Sequence, residues 1–511
     1  MLLNRLIEPA HSIPEERRLF SDEMLWALIF PIIIEQLLSM TVGMADTLMI
    51  SYAGEAAISG VSLVDMINGI FIYVFDALAA GGTIIVSQYI GRRENQKGSL
   101  CAGQVITIST LISLAITALI LLGNRALLGL LFGAVDASIM QAALTYLVIT
   151  AFSYPFLAIY SSCAALFRAM GNSRITMRVS LGMNIVNVIG NAIGVFVLHI
   201  GVTGVAAASL ISRVLACMVL GFLLLRRKEG DSPSVPEAPL PSHKEAASAT
   251  EASSSGRKEG ASSSYLKTHV PGRKEETSAS VIYVRLSDIF TFKADMIRQI
   301  LTIAIPSGIE RGFFQVCRVA LTSLIATFGM TQIAANGVAV SIDNVNTIVV
   351  TAMALVVPTV IGRCRGAGDF EQLNYFVHKL IRITYAINLV LQLSVLALLP
   401  WILRLFSLSD EARHYAFILV VIHNILTIFI SPFSTCIGPV LRSVGDVKYT
   451  MVVSCLGLLI GRLACSYLFS VTFGLEIIGM WLAMGTHWSM TAIANAIRYR
   501  SGKWKTIDII R

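Results

Sequence analysis

The chain has 511 residues, 55% of them hydrophobic and 14% charged, with a formal net charge of +8. Soluble domains run to about 45–50% apolar and 25% charged residues, so the composition excludes an ordinary water-soluble protein. The positive balance does not indicate nucleic acid, because the basic residues gather at the ends of apolar runs, where they set membrane topology.

Residues 1–23 carry Arg5, Arg17 and Arg18 with several acids and two prolines, and are expected to form a cytoplasmic segment without a cleaved signal. Apolar segments then begin near residues 25, 57, 100, 139, 176, 203, 297, 331, 378, 413, 449 and 476, which predicts twelve spans. Runs such as Cys101–Gly123 and Val205–Leu225 are long enough to cross about 30 Å of hydrocarbon as helices. Period-two alternation is absent, and only helices or closed barrels satisfy their backbone groups in lipid. The predicted fold class is therefore all-α integral membrane: twelve transmembrane helices in two pseudo-symmetric six-helix lobes.

Basic residues follow every second span: Arg92, Arg93 and Lys97, then Arg168, Arg174 and Arg178, then Arg226, Arg227 and Lys228. The pattern repeats with Arg363 and Arg365, Arg442 and Lys448, and Arg498, Arg500, Lys503 and Lys505. The intervening turns are poor in Lys and Arg apart from Arg125, Arg404 and Arg413, so both termini are predicted to lie in the cytoplasm of a bacterial inner membrane. The expected division is an N-terminal lobe at 24–228, a disordered cytoplasmic linker rich in Ser, Ala, Glu, Lys and Pro at 229–285, a C-terminal lobe at 286–500 and a cytoplasmic tail at 501–511. The eight cysteines are scattered with no Cys-x-x-Cys pair and read as small buried hydrophobes.

The two halves are copies. A shift of 275 residues places Pro31 on Pro306, Glu35 on Glu310, Gly54 on Gly329 and Gly91 on Gly366; a shift of 274 places Arg168 and Gly171 on Arg442 and Gly445. Each copy holds six spans, so the repeats are parallel and related by an axis along the membrane normal. That is the architecture of alternating-access carriers, with a cavity between the halves. Pro31 and Pro306 each remove a hydrogen bond inside the first span of a half, and serve either as static kinks or as hinges. Arg168 and Arg442 stand at cytoplasmic helix ends, as topogenic charges or as gate residues.

Charge inside a span is costly, so an intramembrane acid is a functional candidate. Glu35 and Asp46 are eleven residues apart on the first span, as are Asp65 and Asp76 on the second; eleven residues is about three turns, roughly 16 Å along one face. Counted from Gly54, Asp46 and Asp65 fall in one layer and Glu35 and Asp76 in another. On the fifth span Asn187 and Asn191 share a face, as ligands for Na⁺ or as polar contacts between helices. In the second half Leu321 replaces Asp46, and Glu310 is expected to pair with Arg318, eight residues on, with Gln315 nearby. Asp343, Arg213 and Arg462 have no partner that spacing identifies.

The stretches Pro31-x-x-x-Glu35-Gln36, Ala45-Asp46-Thr47-Leu48-Met49-Ile50, Gly81-x-x-x-x-x-Ser87-Gln88-Tyr89-x-Gly91 and Leu166-Phe167-Arg168-x-x-Gly171, with the second copy of the last, resemble the multidrug and toxic compound extrusion (MATE) family. The resemblance implies two six-helix lobes around a V-shaped cavity and efflux of organic cations or amphipaths in exchange for Na⁺ or H⁺. It places the cation or proton site on Asp46, with Asn187 and Asn191 as companions; Asp65 joins them as the acid that spacing puts in the same layer. Glu35, Asp76, Glu310, Gln315, Arg318, Pro31 and Pro306 become cavity or gating candidates. The expected protein is a monomer in membrane lipid, with no cofactor beyond the coupling ion and no metal beyond Na⁺ at Asp46. Two other readings are a lipid-linked oligosaccharide flippase, whose diphosphate the cations Arg311, Arg318, Arg213 and Arg462 would meet, and an intramembrane enzyme. His-Glu-x-x-His, Gly-x-Ser-x-Gly and P-loop motifs are missing, which points away from an enzyme.

Overall fold

The structure is a computed structural model that describes residues 8–9, 13–133, 136–226 and 282–510. The expected linker at 229–285 lies outside the described residues except for 282–285. Among the described residues the elements are helices: α1 (Asp22–Ser51), α2 (Glu55–Gly91), α3 (Asn95–Phe132), α4 (Ala137–Ala169), α5 (Ser173–Val197) and α6 (Gly201–Arg226), then α7 (Ala294–Ile325), α8 (Met330–Ala367), α9 (Phe370–Arg404), α10 (Asp410–Phe429 and Ser431–Ser443), α11 (Val447–Thr472) and α12 (Glu476–Arg500). Ten are long and apolar enough to cross a membrane by length and composition. The expected twelve helices in two sets of six are present among the described residues; α7, which carries Glu310, Arg311 and Arg318, and α12 are not among the ten most apolar.

The helices start where the sequence supplies a cap. Ser21, Asp136, Asp369 and Ser409 each accept a hydrogen bond from a backbone N–H of the first turn, at 3.2, 2.9, 2.9 and 3.2 Å. Gly54 and Gly329, equivalent across the repeat, turn α1 into α2 and α7 into α8 at φ of +104° and +94°, a region that side chains rarely enter. Both α1 and α7 run on through Pro31 and Pro306. Two breaks lie in the second half only, at Thr347 in α8 and Ile430 in α10. Wide π turns at Ile193–Val197 and Leu468–Thr472 again stand 275 apart, so the duplication extends to local irregularities.

The apolar cores show how the halves join. At the end of the molecule bearing Arg92, Arg168, Arg363 and Arg442, here called the basic face, the cores are shared. One unites Leu25, Leu28 and Ile32 of α1 with Val356, Val360, Phe376 and Val440 of the second half; the other unites Ile85, Val105 and Leu166 with Ile282, Ile300 and Val447. Toward the opposite face each lobe has a private core, around Val64, Leu147 and Val205 in one and Ala339, Leu419 and Trp481 in the other. The lobes therefore meet at the basic face and separate away from it, which makes a V.

The junction is reciprocal. A methyl group on Gly91 would overlap the Arg363 carbonyl oxygen, and one on Gly366 would overlap that of Gln88, where 88 and 363 are themselves equivalent positions. The Gln88 amide donates to Ser443 O at 2.7 Å and the Arg363 guanidinium to Ala169 O at 2.8 Å, again a symmetric pair. Small residues allow this close backbone approach of α2 and α8.

Peripheral segments cross between lobes at the same face. Ahead of α1, Arg17 and Leu19 exchange hydrogen bonds with Gln372 of α9 at 2.9 and 2.7 Å, and Glu8 and Asp22 meet Lys379 at 3.0 and 2.5 Å. Ahead of α7, the Gln104 amide of α3 donates to Asp288 O at 2.8 Å and accepts from Lys293 N at 3.0 Å. After α12, Asp508 pairs with Arg92 at 2.8 Å.

Candidate functional site

The first lobe holds a polar cluster in its interior. Asp46 projects from the second half of α1, half-buried, and accepts from Asn191 Nδ2 at 2.6 Å. Asn187, one turn earlier on α5, has Ser209 Oγ of α6 on one side at 3.1 Å; with its amide nitrogen turned to the acid it donates to Asp46 Oδ1 and Oδ2 at 3.0 and 3.3 Å. Two amides thus hold one carboxylate between α1 and α5. Asn191 is fully buried, and its Oδ1 has no hydrogen-bond partner among the described residues. A buried acceptor left without a donor costs free energy, and it is a ligand that a proton-bearing group or a hard cation beside Asp46 would use.

Asp65 of α2 is an electrostatic neighbour of Asp46. It accepts from Asn68 Nδ2 at 3.2 Å, and Tyr154 in turn donates to Asn68 Oδ1 at 2.5 Å. The Tyr146 hydroxyl is a further polar neighbour of the Asp65 carboxylate. Arg213 of α6 donates to Ser153 Oγ at 2.6 Å and acts on both acids. Sequence spacing singles out Asp46, Asp65, Asn187, Asn191 and an unassigned Arg213, but not Tyr146, Tyr154 or Ser153, which come from α4. Asn68 had a signal, three residues after Asp65 on the same helical face.

Nearer the basic face lies a second layer. Glu35 pairs with Arg168 at 3.4 Å and accepts from Thr176 Oγ1 at 3.2 Å. The same Arg168 acts on Asp76, as does Arg311 from the opposite lobe, whose guanidinium lies 5.9 Å from the Tyr73 ring centroid. Gln315 of α7 faces Gly69 of α2, so Asp76, Arg311 and Gln315 belong to the seam between lobes.

In the second lobe, Glu310 does not pair with Arg318. Its partner is Arg442, at 3.0 Å to Oε2 and 3.1 Å to Oε1. Arg318 is exposed and forms no ion pair among the described residues. The correction restores symmetry, since Glu310–Arg442 is the repeat of Glu35–Arg168. Two residues eight apart do share a helical face, but face-sharing ranks only partners within one helix, and Arg442 arrives from α10.

Asp343, which stands where the first repeat has Asn68, contacts His423 Nε2 at 2.7 Å. The His423 ring meets Trp481 and Trp488 edge-on at centroid distances of 5.7 and 5.6 Å, and Arg462 acts on Asp343 from α11. Pro31 and Pro306 are buried near the basic face, away from the Asp46 cluster.

These two halves match known proteins. The sequence profile of the MatE family covers residues 31–193 and 306–468, one match in each repeat. The uncharacterised transporter YisQ of Bacillus subtilis is 24% identical over 489 residues, 94% of this chain and 94% of that protein. A probable multidrug resistance protein, NorM of Thermotoga maritima, is 21% identical over 505 residues, 97% of this chain and 95% of that protein. A crystal structure of MATE in complex with MaL6 covers 97% of this chain and 100% of its own at a TM-score of 0.80; at 17% identity the likeness speaks for the fold. With both repeats matched, on helices that form two lobes joined at one face, this chain belongs to the MatE family of multi-pass membrane transporters.

Proposed function

We propose that the chain is a secondary antiporter that exports cationic or amphipathic small molecules in exchange for Na⁺ or H⁺ by alternating access. The basic face lies in the cytoplasm, both termini with it, in a bacterial inner membrane, and the cleft between the lobes opens to the other side. The observation that carries the reading is Asp46, an intramembrane acid gripped by two amides and flanked by an acceptor oxygen, Asn191 Oδ1, with no donor among the described residues. An unpaired carboxylate in hydrocarbon is costly, so a charge here implies a cation that comes and goes.

Ionised Asp46 accepts from Asn187 and Asn191. Arrival of H⁺ or Na⁺ from the cleft neutralises the carboxylate, frees the amide nitrogens and recruits Asn191 Oδ1, which changes how α1 sits on α5. Coupling then needs only that cation and exported molecule prefer different states, by enough to move the population between them. Arg213 sets the charge balance of Asp46 and Asp65.

The test is dye movement in liposomes loaded with a fluorescent organic cation, under a Na⁺ gradient or a pH gradient imposed separately. Gradient-driven movement in the wild type, absent in Asp46→Asn, supports antiport through this site; unchanged movement in the variant rejects the assignment. One observation favours a second reading, a lipid-linked oligosaccharide flippase: Arg318 is exposed on α7 without an ion-pair partner among the described residues, with Arg311 one cross-lobe contact away. That reading predicts loss of function on charge reversal at Arg311 or Arg318, with Asp46→Asn silent.

A further inference from the structure

At the basic face of the second lobe, α9, α10, α12 and the turn after α12 enclose a cavity of about 450 Å³. Its lining has two characters. His378, Arg382, Arg500 and Lys505 bring basic groups, and among the described residues no Asp or Glu lines it. Its apolar wall includes Phe433 and Ile437, which stand roughly 15 and 9 Å inward of the end of α10 at Ser443. Basic side chains therefore border an apolar floor that runs into the depth of the membrane.

The cations here are less compensated than those beside them. Lys379, one residue past His378, is neutralised by Glu8 and Asp22. Arg382 donates to the backbone carbonyl of Glu8, a neutral acceptor. Arg500 is exposed and forms no ion pair among the described residues. The Lys505 ammonium rests 5.8 Å from the Phe370 and Trp504 ring centroids. Trp504 itself is buried, stacked on Tyr499 at 5.3 Å and donating to Tyr499 O at 2.8 Å, so the wall that carries Lys505 is fixed. His378 donates Nδ1–H to Asn374 O at 2.7 Å, so its Nε2 can donate to an anion only when the ring is an imidazolium.

A small anion would use the rim and leave the floor empty. A neutral amphipath would use the floor and leave the cations unpaired, and a zwitterionic head group would bring its own cation against them. We propose that this cavity binds an anionic phospholipid, with its phosphodiester at Arg382, Arg500 and Lys505 and an acyl chain over Phe433 and Ile437. Basic pockets between membrane helices suit this chemistry, because the guanidinium fork matches phosphate oxygens and the chain adds apolar burial. The proposal stands independently of the antiport reading, since it needs only that the helices lie in a bilayer.

The experiment is to purify the full chain from vesicles of mixed phosphatidylcholine and phosphatidylglycerol and to quantify the lipid that stays bound. Phosphatidylglycerol is expected to be retained over phosphatidylcholine. In Arg382→Gln/Arg500→Gln its retention falls about 30-fold, the loss expected when two cations each worth about 1 kcal/mol against anionic lipid are neutralised. Ile437→Trp, which fills the floor and keeps every charge, releases the lipid too, and decides the matter if the double variant does not fold. Equal retention by wild type and either folded variant overturns the proposal. Inorganic phosphate separates the two sources of the anion: wild type that keeps its phosphatidylglycerol in excess phosphate supports a lipid site, whereas full displacement marks a free-phosphate site and overturns it.

Discussion

The two lobes share a scaffold and differ in what they place inside it. Gly91 and Gly366, Gln88 and Arg363, and the pairs Glu35–Arg168 and Glu310–Arg442 occur in both, and they lie at or near the face where the lobes close on each other. In the private cores away from that face the chemistry diverges. Asp46 and Asp65 have Leu321 and Val340 as their equivalents, while Asn68 has Asp343. Duplication thus supplied a symmetric closure, and the acid that the amides hold belongs to one half alone.

The largest expected effect breaks this asymmetry. Asp46→Asn brings gradient-driven dye exchange down to the level of protein-free vesicles, Leu321→Asp in that background does not restore it, and Asp343→Asn in the wild-type background leaves it in place. Rescue by Leu321→Asp would show the lobes interchangeable. Next is the ion-pair comparison. Glu35→Gln strands Arg168, at a cost of about 3–5 kcal/mol read from thermal unfolding, because a buried charge loses its partner. Glu310→Gln costs about half as much: its pair is 20% and 23% exposed, against 9% and 11% for Glu35 and Arg168.

A smaller effect sharpens the symmetry of the closure. Gly91→Ala and Gly366→Ala each disfavour the closed basic face by about 1–3 kcal/mol, as overpacking does, and by the same amount as each other. The readout is labelling of a cysteine placed in that seam by an impermeant maleimide. Unequal responses would mean that the seam is not reciprocal in solution.

The smallest concerns the segment ahead of α1. Partial burial raises the Glu8 carboxyl pKa, but the Tyr375 hydroxyl, Lys379 and Arg18 outweigh it and hold the group below its usual 4.5. A carboxylate with a lowered folded pKa contributes stability that is present above pH 4.5 and is lost as pH falls through the folded value. Hydrogen exchange of residues 13–20 is therefore expected to rise below that pH, and to become insensitive to it in Glu8→Gln.

Much of the helical plan is legible because apolar runs and glycine turns are local. The ninth helix begins at Phe370 where hydropathy suggested 378, since Glu371, Gln372 and Lys379 lower the hydropathy of first turns whose Leu373, Phe376 and Val377 are nonetheless in the shared core. The breaks at Thr347 and Ile430 escape because neither residue is a helix breaker by itself. In the candidate site, Asp46, Asn187 and Asn191 stand out as polar groups where lipid demands none. Their neighbours Tyr146 and Arg213, and the true partner of Glu310, come from other helices, and no period in the sequence relates one helix to the next.

The exchanged segments at the basic face carry a consequence for biogenesis. During synthesis the first lobe leaves the ribosome before the peptide that covers the end of α3, and Arg92 waits for Asp508, which is made after all twelve helices. The second lobe, in turn, docks on a strip, Arg17 to Asp22, made before any of its own helices. Neither lobe has a finished edge until residues 503–510 are made, so a chain cut after Gly502 keeps all twelve helices yet leaves Arg92 without Asp508 and uncovers the apolar rim that Trp504 and Ile510 close, a surface prone to aggregate.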